Sequence, residues 1–165
     1  MDANGKFVVL FVCTGNTCRS PMAEYALRSL IEKRLPGKVK VTSAGTFGPE
    51  GYPATLFAQE AALVWNLDLR PHRSRVLAKK YIDEADLILA MAPEHYREVV
   101  RLSPTAAGHT YLLKEFPDDR PEGERVEDPI GMDLDDYNQV FLEIGEYLGK
   151  HLPEIVKRVD EKLNV

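Results

Sequence analysis

The feature that most constrains this chain is the run Phe7-Val8-Val9-Leu10-Phe11-Val12, six apolar residues with no polar one among them. A half-solvated strand alternates apolar and polar residues, so an unbroken run predicts a strand buried on both faces, as in a parallel sheet covered by helices on each side. The run leads directly into Cys13-Thr14-Gly15-Asn16-Thr17-Cys18-Arg19-Ser20 and then Pro21, whose fixed φ suits the first turn of a helix. Met22, Tyr25, Ala26, Leu30 and Ile31 recur at helical spacing until Pro36-Gly37 ends the pattern. Strand, tight loop and helix therefore follow one another without a break.

The same alternation continues along the chain. Val39 to Ser43 reads as a second strand and Ala54 to Leu67 as a second helix, separated by a loop rich in glycine and proline. Leu87 to Met91 is a further buried strand, Glu94 to Leu102 a helix, and Thr110 to Leu113 a fourth strand. From Lys114 to Asp133 there is little periodicity, and so long a stretch inside a compact domain is usually functional. A closing helix runs from Asp136 to about Lys162, with Pro153 a point where it can bend. Strands alternating with helices predict a doubly wound α/β domain occupying residues 1–165, with its ligand beyond the carboxyl ends of the strands.

Composition narrows the partners. With 21 Lys and Arg against 26 Asp and Glu, the formal charge is −5, which argues against nucleic acid or an anionic membrane as partner. The first apolar run is too short to cross a bilayer and no basic leader precedes it, so a cytoplasmic location is expected. Two cysteines, Cys13 and Cys18, exclude both a disulfide framework and a four-cysteine zinc site. No His, Cys, Asp or Glu cluster has metal-ligand spacing, and neither metal nor cofactor is expected.

The chemistry points to the loop. Backbone N–H groups wrapped around a helix head form an anion nest, and the helix dipole adds positive potential at the same place. That field favours the thiolate of Cys13, while Arg19 offers a planar, permanently charged fork for the oxygens of a phosphoryl group. Ser20 is placed to hydrogen-bond the thiolate, Gly15 to take left-handed dihedrals, and Asn16 to brace the loop from within. The competing view makes Cys13 a buried small hydrophobe and Arg19 a solvated helix residue, yet it does not explain a buried strand ending in Gly, Asn and Thr before a Ser-Pro helix start. A phosphate-binding module without catalysis remains an alternative, because the nest and Arg19 bind an anion without the thiol.

The segment C-T-G-N-T-C-R-S-P from Cys13 to Pro21, together with Asp128-Pro129 late in the chain, resembles the low-molecular-weight protein tyrosine phosphatase family over essentially the whole length. The resemblance implies a four-stranded parallel sheet flanked by helices, with Cys13 as nucleophile, Arg19 as phosphate ligand and Asp128 as general acid. It also implies a hydrogen-bonded brace of Asn16, Ser43 and His72 under the loop. Phosphorylated protein side chains are the implied substrates and inorganic phosphate the product. Pro129 stiffens the backbone that presents Asp128, which sets this acid apart from Asp118, Asp119 and the other carboxylates around it. A thioredoxin-coupled arsenate reductase, similar around the nucleophile, needs cysteines after Cys18, and the chain has none. Tyrosine phosphatases of the family typically carry a bulky aliphatic residue in place of Thr17 and aromatic residues after the Asp-Pro pair, where this chain has Ile130-Gly131. The run from Cys13 to Glu24 is closer to the bacterial arginine phosphatases, although many of those also place an aromatic residue at the position of Ile130. Two roles for Cys18 stay open: packing behind the loop, or resolving an oxidised Cys13 as a disulfide.

Overall fold

A computed structural model describes residues 1–165. Strand β1 (Phe7–Cys13) is followed by α1 (Arg19–Arg34), β2 (Val39–Gly45), α2 (Leu56–Leu63), α3 (Lys79–Glu84), β3 (Leu87–Ala90), α4 (Pro93–Leu102), a 3₁₀ turn (Pro104–His109), β4 (Thr110–Leu112) and α5 (Leu134–Leu163). The strands form one parallel sheet in the order β2-β1-β3-β4.

The apolar run explains the layering. Because successive side chains of a strand point to opposite faces, Phe7, Val9 and Phe11 enter a core with α1, α2 and α5, while Val8, Leu10 and Val12 enter a smaller core with α3 and α4. All seven residues of β1 are buried. The chain leaves β1 toward β2 on one side and later returns to β3 on the other, so the carboxyl end of β1 lies where the strand order reverses, the usual position of a ligand crevice.

Two elements differ from the sequence expectation, and a third, the closing helix, meets it. Helix α2 stops at Leu63 rather than Leu67, because the chain turns through Asn66 with a left-handed φ of 60°. Helix α3 carries no long apolar stripe; its Ile82 alone is buried, packing on the α4 face of the sheet. Helix α5 runs unbroken through Pro153, whose missing N–H withdraws one intrahelical bond while Leu148, Ile155 and Val159 keep the helix seated on the core.

The stretch from Lys114 to Asp133 has almost no regular structure but is tied down at chosen points. The Val126 N–H donates to the Met91 carbonyl at 2.8 Å, and His151 Nε2 donates to the Leu113 carbonyl at 2.6 Å. Lys114 meets Glu143 of α5 at 3.0 Å.

Candidate active site

The loop between β1 and α1 closes on itself around Asn16. This residue takes the left-handed conformation, φ 57°, a role the sequence reading gave to Gly15, whose φ is not positive. Asparagine tolerates this region better than most residues, and here its side chain secures the conformation from three sides. Asn16 Nδ2 donates to Ser20 Oγ at 2.8 Å and to Ser43 Oγ at 2.9 Å, and Asn16 Oδ1 accepts from the Arg75 N–H at 2.9 Å. His72 Nε2 donates to the Asn16 carbonyl at 2.7 Å, so its proton sits on Nε2, and burial keeps the ring's pKa below the ordinary histidine value. Asn16, Ser43 and His72 thus lie together beneath the loop, all buried.

Two glycines outside the loop let this brace approach. A Cβ on Gly45, the last residue of β2, would lie 2.5 Å from the Thr14 carbonyl oxygen, and one on Gly48 would lie 3.0 Å from Gly15 Cα. Neither contact can be relieved by a flexible side chain, since both are with backbone. The segment after β2 is stitched on by hydrogen bonds from the Thr46 N–H to the Cys13 carbonyl and from the Phe47 N–H to the Thr14 carbonyl, at 2.9 and 3.0 Å.

Cys13 Sγ lies 2.8 Å from Ser20 Oγ and 3.3 Å from the Asn16 N–H. Since Ser20 Oγ already accepts from Asn16, its own hydrogen is free to donate to the sulfur. The amino end of α1 adds positive potential that no side chain offsets: its capping residue, Cys18, makes no side-chain cap and no acid stands in the first turn. Arg19 is buried, with Nη1 donating to the Val126 carbonyl at 2.9 Å and Nη2 lying 3.4 Å from both Thr14 Oγ1 and Asp128 Oδ2. Asp128 Oδ1 in turn accepts from the Ile130 N–H at 3.1 Å, an Asx turn that orients the carboxylate. Asp118 and Asp119 are exposed and do not reach the cavity.

Cys18 points away from the anion nest. Its Sγ lies 3.3 Å from the Tyr137 hydroxyl and 3.6 Å from Thr55 Oγ1, and burial raises its thiol pKa. Thr17 is half-buried and lines the cavity, and the one hydrogen-bond partner of its hydroxyl is Cys18 Sγ at 3.9 Å. The cavity above the loop measures about 620 Å³; Phe47, Tyr52, Leu56 and Ile130 form an exposed apolar rim, and Asp128 is the one carboxylate in its lining.

Sequence reasoning missed four partners. Glu24 is buried and its Oε1 accepts from Ser43 Oγ at 2.7 Å; it also pairs with Arg28. Val126 acts through its carbonyl, which no side-chain pattern reveals. Tyr137 reads from sequence as a stripe residue of α5. His95, at the head of α4, lies 2.8 Å by Nε2 from Thr14 Oγ1, and its place just after a buried strand was the available signal.

A profile described as Low molecular weight phosphotyrosine protein phosphatase matches residues 8–164. The protein-arginine-phosphatase of Geobacillus stearothermophilus is 38% identical over 155 residues, covering 94% of this chain and 95% of that protein. The low molecular weight protein-tyrosine-phosphatase Etp of Escherichia coli K12 is 38% identical over 133 residues, covering 81% and 84%. Among solved structures, the YwlE arginine phosphatase as a mutant with a phosphorylated active site serine superposes with a TM-score of 0.83 at 36% identity, covering 95% of this chain and 99% of that one.

Proposed function

The chain belongs to the low molecular weight phosphotyrosine protein phosphatase family, and from that membership we propose that it hydrolyses phosphoarginine in proteins through a Cys13 phosphoenzyme. In the first step the Cys13 thiolate attacks phosphorus, the S–P bond forms, and the P–N bond to the guanidine breaks as Asp128 delivers a proton to the leaving nitrogen. In the second, Asp128 takes a proton from water, whose oxygen displaces the sulfur and releases inorganic phosphate. Arg19 and the loop N–H groups hold the phosphoryl oxygens through both steps, and Ser20 stabilises the departing thiolate. The phosphorylated serine in the related arginine phosphatase mutant supports an intermediate on the equivalent side chain.

The observation that carries the substrate choice is Thr17, a hydroxyl lining the cavity whose one hydrogen-bond partner is Cys18 Sγ at 3.9 Å, in a lining whose single carboxylate is Asp128. A planar, polar, cationic leaving group needs acceptors of this kind, whereas a phenyl ring needs an apolar wall. The exposed rim of Phe47, Tyr52 and Ile130 favours a second reading, phosphotyrosine, because such groups pack on a ring.

Replacing Thr17 separates the two. With phosphoarginine as substrate, Thr17→Ile should lower kcat/KM by more than the roughly 10 to 200-fold that a methylene's worth of packing provides, while activity on phosphotyrosine is kept or raised. A wild-type enzyme that prefers phosphotyrosine overturns the arginine assignment and leaves the phosphoenzyme chemistry standing.

A further inference from the structure

His95 is fully buried at the head of α4, yet no part of the chemistry above uses it. Its Nε2 lies 2.8 Å from Thr14 Oγ1, and its Nδ1 is the one buried side-chain polar atom that meets no protein partner. A buried N–H without an acceptor is the costlier kind of orphan, so the proton belongs on Nε2 and the bare lone pair on Nδ1. Nε2–H then donates to Thr14 Oγ1, which also faces the Arg19 Nη2–H at 3.4 Å. With both of its acceptor positions taken by N–H groups, the Thr14 hydroxyl has only its own hydrogen left to offer, and Thr14 lines the cavity over the nucleophile.

We propose that His95 is a positioning residue which, as a neutral Nε2–H donor, turns the Thr14 hydroxyl into a hydrogen-bond donor for an oxygen of the bound phosphoryl group. The assignment rests on the phosphatase reading of the loop and adds a side-chain donor to the backbone nest and Arg19. The charged groups facing the ring are Arg19 from α1, Glu94 on α4 itself, and Arg125 and Asp128 from the segment before α5. Burial and then Arg19 hold the imidazole pKa down, to about 4, so the ring stays neutral throughout the working range.

The test is a double-mutant cycle read through competitive inhibition by inorganic phosphate, with p-nitrophenyl phosphate as reporter. Thr14→Val should raise the phosphate Ki about tenfold or more, the loss expected for one hydrogen bond to a charged acceptor. His95→Leu should raise it similarly, and the double variant should be no worse than Thr14→Val alone, because the histidine acts through that hydroxyl. His95→Gln, which keeps an N–H, should recover part of the loss, with a kcat/KM profile between pH 5 and 8 of wild-type shape. Nitrogen NMR of the wild-type imidazole should show the proton on Nε2. An unchanged Ki in Thr14→Val, losses that add in the double variant, or a proton on Nδ1 overturns the proposal. Should His95→Leu not fold, the same cycle with His95→Gln and the NMR tautomer decide it. A wild type that neither hydrolyses the reporter nor binds phosphate would instead remove the phosphatase reading beneath it.

Discussion

The two halves of the cavity are built differently. On the side of the β1–α1 loop, Cys13, Asn16, Arg19, Ser20, Ser43 and His72 are all buried, and Asn16 alone takes part in hydrogen bonds to Ser20, Ser43, Arg75 and His72. On the acid side, Val126 and Pro129 are buried anchors, but Asp128 and Ile130 between and beyond them are exposed, and Asp128 touches the other half only through its 3.4 Å pairing with Arg19. The oxygens of a phosphoryl group are the same in every substrate, so a rigid cradle suits them. The group that leaves differs in size and chemistry, and under the proposed mechanism a solvent-facing Asp128 can meet it as it arrives.

The largest test of the contrast removes the reacting atom from the rigid half. Cys13→Ser should cut turnover by roughly 10⁴-fold or more while phosphate and vanadate still bind, because the cradle is made by other groups. Activity near wild type in that variant would show that the braced loop is not where phosphoryl transfer occurs.

On the exposed side, Asp128→Asn should lower kcat by about 10² to 10⁴-fold for a leaving group that needs a proton, and by far less for p-nitrophenyl phosphate. Stability should scarcely change, since the Asp128 side chain is 40% exposed and its long ion pair is partly screened. Equal losses on both substrates would move the acid elsewhere.

Asn16→Ala sharpens the comparison from the structural side. It removes three side-chain hydrogen bonds and leaves an alanine at φ 57°. A loss of about 3 kcal/mol in unfolding free energy is expected, measurable by denaturant titration. A stability loss as small as that of Asp128→Asn would erase the distinction between the halves.

The smallest effect is acid sensitivity of the buried half. The pKa of His95 is lowered from 6.5 to about 4, chiefly by burial, so between those values the unfolded chain binds a proton that the folded one refuses. Stability is therefore complete above pH 6.5 and falls as the pH drops toward 4; His95 alone should account for about 2 kcal/mol by pH 5. In His95→Leu that contribution to the slope between pH 6.5 and 5 should vanish. An unchanged slope would mean that the ring is protonated in the fold.

How much of this was legible depended on the kind of interaction. The loop after β1 could be read because it is local: a buried strand, a glycine-containing loop and a helix head are written in consecutive residues from Phe7 to Ser20. Asp128 was singled out by the family resemblance of its Asp-Pro pair, and its meeting with Arg19 spans 109 positions. The assignment of left-handed geometry to Gly15 failed because glycine is permitted anywhere, whereas the conformation was decided by where the Asn16 side chain finds partners. Helix α3 escaped notice because a six-residue helix with one buried side chain has no period to detect.

By itself, then, the sequence determined the layered α/β architecture and the loop after β1 as the place to look, since apolar patterning and loop composition act over short separations, while Asp128 came from the family resemblance. Only the tertiary structure decided which polar groups meet. Glu24 under Ser43, the Val126 carbonyl on Arg19, Tyr137 on Cys18 and His95 on Thr14 each join segments between 19 and 119 residues apart. Hydrogen bonds act over a few ångströms and leave no periodic trace in the chain, so these pairings exist only once the sheet has brought its strand ends together.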